Sequence, residues 1–317
     1  SEDNFSPILN RAIQGTYAPG STFKPITALA ALQEGVLGDE GLRRPTDRYL
    51  DTGTYTYSNC FLESSTCLFS SPYTGGGRQV DLPAALRVSS DTYFYEIAGE
   101  GFWTRSSEPD EDGLRPDEGI QLWARELGFG VDSGLQIPYE RSGVVPNRDY
   151  YDRQFDAGVF AVDGSQWFAG ATINLSIGQG ELLVTPLQLA NSYAAFGNGG
   201  ALHQPNVAVR VTDPDGETVR EFGPRMLRDL EIPEEFQAPI EEGLLGATMD
   251  AGGTATRVFG QVDFNVWNWP VAGKTGTAEV DGKADTALFT AYGPVYRPGS
   301  AVGLDTVPEV ALAVVME

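Results

Sequence analysis

Ser21 and Lys24 stand three residues apart in Gly20-Ser21-Thr22-Phe23-Lys24-Pro25, a spacing that puts a hydroxyl and an amine on one face of a helix. A serine becomes a nucleophile when a neighbouring base takes its proton, and a lysine desolvated or crowded by another cation can be that base near neutral pH. Arginine cannot serve, because its guanidinium stays protonated. Lysine is scarce here: Lys24, Lys274 and Lys283 are the only three in 317 residues. Two of them sit among hydroxyls and glycines, in Ser21-x-x-Lys24 and Lys274-Thr275-Gly276-Thr277, so surface solvation does not explain both. Ser89-Ser90-Asp91 lies between two stretches that read as short helices. A serine beside a lysine base suits nucleophilic chemistry, and the N-terminus of a helix offers N–H groups for a developing oxyanion.

Other chemistries fit less well. Gly273-Lys274-Thr275 resembles a phosphate loop, but Asn268 stands where that motif needs a glycine, and the segment reads as a strand. The single histidine, His203, reads as a loop residue and leaves no second histidine for a metal site or triad. Cys60 and Cys67 suit a small disulfide in an oxidising compartment or remain thiols, and two cysteines without nearby histidine make a poor zinc site. No metal or cofactor is expected. The acidic run at 104–119 lacks the alternating ligands of a calcium loop and reads as solvated surface. With 44 acidic against 21 basic residues, a formal net charge of −23 argues against nucleic acid or an anionic membrane surface as partner and would suit a saline habitat.

The elements that must position these groups are legible from punctuation. Pro19-Gly20 marks a turn, Ser21 is a helix N-cap type, Pro25 suits a first turn, and Gly35 closes a run rich in helix formers. Further helices are expected at about 81–88, 92–99, 117–128, 185–196 and 233–249, with an irregular stretch between about 129 and 165. Thr52 to Tyr57 is a possible short strand, and 206–222 reads as a hairpin around Asp213-Pro214-Asp215-Gly216. Three strands, at about 268–280, 286–292 and 310–316, lack crossover helices and should pair antiparallel. The expectation is an α/β chain: an antiparallel sheet at about 268–317 flanked by helices, with a mostly helical subdomain at about 36–250, all forming one interlocked unit over 1–317. The chain has no run of eighteen apolar residues and no signal-peptide pattern.

Ser21-x-x-Lys24, Ser89-x-Asp91 and Lys274-Thr275-Gly276 stand in the order of the three signatures of penicillin-recognising active-serine enzymes. The segments Tyr17 to Pro25, Ser90 to Glu96 and Ser176 to Ala190 resemble the transpeptidase domain of class B penicillin-binding proteins. Asp91 and the following Tyr93-Phe94-Tyr95 look most like the elongation type, the penicillin-binding protein 2 group, and the likeness runs from about residue 8 to the C-terminus.

The resemblance implies the β-lactamase-like fold and D,D-transpeptidation of peptidoglycan stem peptides. Ser21 would be the nucleophile and Lys24 its base, with Ser89 and Lys274 the relay to the leaving amine and Asp91 orienting Lys24. The N–H groups of Ser21 and Thr277 would form the oxyanion hole, and Thr275, Gly276 and Thr277 the pocket for the terminal carboxylate. β-Lactams would acylate Ser21. It further implies a membrane glycosyltransferase partner and work at the extracytoplasmic face of the bacterial cytoplasmic membrane. Two departures stand out: the family's N-terminal strands and its terminal helix are missing from the pattern, as expected for a portion of a longer, anchored protein. A serine β-lactamase on the same fold needs a base for deacylating water, and no Glu-x-x-Leu-Asn motif lies between the second and third signatures. A β-lactam-binding sensor keeps the same motifs and stays open.

Overall fold

The computed structural model describes residues 9–58, 67–73, 75–160, 167–260, 268–279, 282, 284–303 and 305–317. Its axis is a helix, α1 (Lys24–Gln33), in which every residue from Lys24 to Leu32 is buried. Pro25 lies in its first turn, and Gly35 follows with φ +66°, the left-handed conformation of a helix end that glycine adopts without strain. Ser21 is not the N-cap its type suggested: it sits inside a 3-10 turn, Gly20–Phe23, that runs straight into α1 with no side-chain cap.

Around α1 pack α2 (Leu82–Arg87) and α3 (Asp91–Glu96), both started by side-chain caps. Asp81 accepts from the Ala84 N–H at 3.0 Å and Ser90 from the Tyr93 N–H at 3.4 Å. A π-helical turn, Ile97–Phe102, extends α3 beyond the expected end. The stretch expected to be irregular holds a further helix, α5 (Arg148–Asp156), after α4 (Gly119–Glu126). Asn147 caps α5 through the Tyr150 N–H at 3.0 Å, a signal masked by the polar, apolar-poor sequence of the helix. A helix α6 (Ala169–Ser176) precedes α7 (Pro186–Gly197), which opens with a reciprocal Thr185–Gln188 capping box. The helix α8 (Glu234–Met249) carries Pro239 inside it and packs on α2, α1 and the sheet.

The sheet has the order β3-β2-β1, with β1 (Ala272–Ala278), β2 (Thr286–Gly293) and β3 (Val310–Met316) all antiparallel as expected. Register places Lys274 opposite Thr290 and Thr275 opposite Phe289, so side-chain alternation turns Lys274 and Gly276 to one face and Thr275 and Thr277 to the other. The edge strand β1 lies against the Gly20–Phe23 turn. Short ribbons complete the fold. Thr54–Thr56 pairs with Leu68–Ser70, and Arg210–Thr212 with Thr218–Glu221, the expected hairpin. His203, expected in a loop, ends a short strand (Ala201–His203) paired with Met226–Asp229. The glycines before it read as a turn, but the partner strand lies 25 residues downstream, beyond the reach of local pattern.

One cluster of buried apolar side chains runs from Phe23 to Val295 and takes in helices and sheet alike. Each fully buried Leu, Ile or Phe in it contributes about 1.5–3 kcal/mol of apolar transfer. Among the described residues no helix is long and apolar enough to cross a membrane, and no strand precedes Ser21. Cys67 is disulfide-bonded; Cys60 lies outside the described residues, as does Lys283.

Candidate active site

Three elements meet at the turn that carries Ser21, and they meet by backbone. The Gly20 N–H donates to the Gly178 carbonyl at 2.9 Å. A Cβ on Gly20 would lie 2.3 Å from the Thr277 carbonyl oxygen, and its φ of +52° is left-handed, so only glycine fits. Gly276 serves the same close approach from the strand side, where a Cβ would come within 2.8 Å of the Pro19 carbonyl. We expect Gly20→Ala to cost about 1–3 kcal/mol from φ alone and to push Ser21 away from β1. A lowered thermal midpoint checks this, and an unchanged one would contradict it.

Ser21 opens onto a cavity of about 1050 Å³. Ser89, Asp91, Thr275, Gly276 and Thr277 line the same cavity, while Lys24 and Lys274 lie beneath it, both fully buried. All eight residues singled out by spacing or resemblance are thus brought to one place. Ser89 is the hinge of the arrangement. It is a non-glycine residue at φ +57°, a conformation that costs energy and is held by its surroundings. Its Oγ accepts from Lys24 Nζ at 3.1 Å and from Lys274 Nζ at 2.8 Å. Lys24 Nζ also donates to the Ser89 carbonyl at 3.0 Å and to Asp91 Oδ1 in a short ion pair. Lys274 Nζ donates further to its neighbour's carbonyl, Thr275 O, at 3.1 Å.

Among the described residues no hydrogen bond joins Ser21 Oγ to Lys24 Nζ, although their spacing allows one. Asp91 and Ser89 hold the ammonium instead.

Electrostatics prepare both amines. Burial lowers the Lys24 pKa below 10.5, outweighing the Asp91 carboxylate that raises it. Burial likewise drives Lys274 well below its ordinary value, the charge of Lys24 lowers it further, and Asp91 opposes both. Asp91 beside Lys24 therefore tempers the shift without cancelling it.

Spacing alone did not single out four supporting residues. Thr254 Oγ1 is 2.7 Å from Thr275 Oγ1, the donor, and fixes that hydroxyl's orientation. Gln179 Nε2 donates to the Thr277 carbonyl at 3.1 Å; it lies in the Ser176 to Ala190 segment, which carried a likeness but no role. Asp51 is fully buried and accepts from Thr92 Oγ1 at 2.8 Å, from the Gly53 N–H at 3.0 Å and from Arg78 Nε at 2.8 Å. Asp51 and Arg78 belong to two strands (Tyr49–Asp51 and Arg78–Val80) whose pairing only the fold reveals. His203 contributes nothing here: its ring nitrogen Nδ1 lies 3.2 Å from the Ala201 carbonyl within its own ribbon.

A fold of helices on an antiparallel sheet, with a buried Lys–Ser–Lys chain behind a serine turn, is that of the penicillin-recognising enzymes, and the chain belongs to the family of penicillin-binding protein transpeptidase domains, whose model matches residues 1–317. Within the family it is similar to peptidoglycan D,D-transpeptidase MrdA of Haemophilus influenzae, 29% identical over 310 residues, covering 92% of this chain and 41% of that protein. Among solved structures it is similar to penicillin-binding protein 2 (PBP2) of Pseudomonas aeruginosa in complex with WCK 5153, with 27% identity, a TM-score of 0.72 and coverage of 98% of this chain and 58% of that one. A structure described as "Structural coordination of polymerization and crosslinking by a peptidoglycan synthase complex" matches with 26% identity and a TM-score of 0.71, covering 99% of this chain and 44% of that one. The chain spans about two fifths of the length of the curated relatives it matches.

Proposed function

We propose that this chain is the catalytic domain of a D,D-transpeptidase that cross-links peptidoglycan stem peptides through an acyl-enzyme on Ser21. The observation that carries the reading is Ser89 Oγ held between two buried amines, at 3.1 Å from Lys24 and 2.8 Å from Lys274, in the cavity onto which Ser21 opens. Ser21 Oγ attacks the carbonyl between the two terminal D-alanines, and Lys24, neutral in the reacting form, takes its proton. The N–H groups of Ser21 and Thr277 receive the oxyanion. The C–N bond then breaks, and the departing D-alanine amine takes a proton through Ser89, backed by Lys274. An amine of a second stem peptide attacks the ester, gives up a proton along the same path and frees Ser21. The Thr275 and Thr277 hydroxyls, at the Gly276 edge of the cavity, hold the terminal carboxylate.

β-Lactams mimic the donor and acylate the same serine. A membrane glycosyltransferase is the expected partner, in keeping with the peptidoglycan synthase complex among the similar structures. The site of action is the extracytoplasmic face of the bacterial membrane. The continuous core supports reading the helical part, about 36–250, and the sheet, about 268–317, as one unit.

Incubation with a chromogenic cephalosporin separates this reading from a β-lactamase. We expect a burst of about one equivalent followed by very slow turnover, as for an acyl-enzyme without a deacylating base; many rapid turnovers would overturn the proposal. A donor peptide ending in D-alanyl-D-alanine, supplied with an amine acceptor, separates it from a sensor. Cross-linked product is expected, and β-lactam acylation with no transfer at all would point to a sensor.

A further inference from the structure

The catalytic scheme leaves one charged group in the cavity unused. Among the described residues Arg78 is the only basic side chain that lines it, against the carboxylates of Asp91, Glu279 and Asp285. In a protein of formal net charge −23, a guanidinium turned into a peptide-sized groove needs a reason. Its mounting supplies one. Arg78 Nε and Nη2 both reach a single oxygen of Asp51, Oδ2, at 2.8 and 2.7 Å. Asp51 is itself pinned by Thr92 and by the Gly53 N–H. The guanidinium carbon lies 4.0 Å from the ring centroid of Tyr73, which also lines the cavity. One edge of the fork is thus anchored and its carbon lies over the Tyr73 ring, while Nη1 makes no hydrogen bond among the described residues. A partner serving only to neutralise Asp51 would sit inside with it. Yet the Asp51 side chain is 0% exposed and that of Arg78 is 25% exposed.

We infer that Arg78 is a second anion anchor of this groove, taking a carboxylate that the peptide carries apart from the terminal one assigned to Thr275 and Thr277. A fixed, planar fork with a free edge suits a carboxylate better than it suits a neutral amide, because one partner is ionised on each side. The carboxylate belongs to a side chain of the donor strand or of the acceptor strand, and the chemistry is shared. The inference rests on the transpeptidase reading and deepens it. Arg78 is a specificity residue here; nothing places it on the reacting atoms.

The test uses the purified protein and two donor thioesters, identical except that the residue before the reacting D-alanine bears a side-chain carboxylate in one and its carboxamide in the other. Thiol release reads acylation, and two amine acceptors differing in the same way read transfer against hydrolysis. The wild type is expected to favour the carboxylate by about tenfold to a hundredfold, the scale of one hydrogen bond to a charged group. Arg78→Gln should abolish that preference and Arg78→Lys should keep part of it, with thermal midpoints showing that both variants fold. A preference seen in thiol release assigns the carboxylate to the donor; one seen only in the transfer-to-hydrolysis ratio assigns it to the acceptor. The inference is overturned if the wild type shows no preference in either arm, if the preference survives in Arg78→Gln, or if that variant slows all substrates alike, which would make Arg78 a counterion to Asp51 and no more. A wild type that releases no thiol and takes no β-lactam would sink the transpeptidase reading and this inference together.

Discussion

Lys24→Ala should slow β-lactam acylation of Ser21 by about a hundredfold to ten-thousandfold, the range over which one positioned general base accelerates a reaction. The lysine is fully buried and donates to Ser89 and Asp91, and the other lysine among the described residues, Lys274, is occupied with Ser89 Oγ and the Thr275 carbonyl. The same substitution leaves Asp91, 8% exposed, without its cation, so the thermal midpoint should fall as well. Stopped-flow acylation at saturating β-lactam, with the fold checked by circular dichroism, separates the two effects. A folded Lys24→Ala protein that acylates within tenfold of the wild type would remove Lys24 from the role of base.

The pH dependence carries a sign that tests the same assignment. Burial depresses the Lys24 pKa and Asp91 raises it, so the unprotonated, reactive form grows as pH rises through a value below the ordinary 10.5. Acylation should therefore climb with pH along a limb on the acid side of free lysine. Asp91→Asn removes the raising influence, so the limb should move to lower pH even if the plateau drops through lost orientation. Because Lys24 and Lys274 share Ser89, the limb reports the coupled pair and not one amine alone. A limb that moves to higher pH in Asp91→Asn would contradict the electrostatic account.

Much of this was legible in the chain. Helix ends marked by Pro25, Asp81, Ser90 and Thr185 are local chemistry, and local chemistry survives folding. The three antiparallel strands followed from apolar runs without crossovers. The active residues were visible because lysine is rare here and because the three motifs stand in order. What escaped was either weakly patterned or non-local. The helix Arg148–Asp156 is too polar to show an apolar stripe. The strand at His203 depends on a partner at Met226. Ser21 reads as a cap, yet it stands half-buried on a 3-10 turn where it lines the cavity, and no side chain caps the helix start. The expected Ser21–Lys24 contact gave way to a stronger demand: a buried ammonium must first satisfy its charge, and Asp91 does so. Thr254 and the Asp51–Arg78 pair could not be read at all, since their partners come from other segments of the chain.

The position of Asp91 explains why the site can hold an aspartate, although a neutral amide would lower the Lys24 pKa further. Two buried amines share one hydroxyl, and their mutual repulsion alone would be costly. One carboxylate, placed on the first turn of its helix and next to Lys24, offsets that repulsion while burial keeps both amines easy to deprotonate.

Ser21 is the proposed nucleophile, and intact mass after exposure to penicillin, followed by peptide mapping of the adduct, tests that assignment most directly. One adduct per chain is predicted, carried by the peptide containing Gly20-Ser21-Thr22, and absent from Ser21→Ala under the same exposure. An adduct on any other residue, or an undiminished adduct in Ser21→Ala, would contradict it.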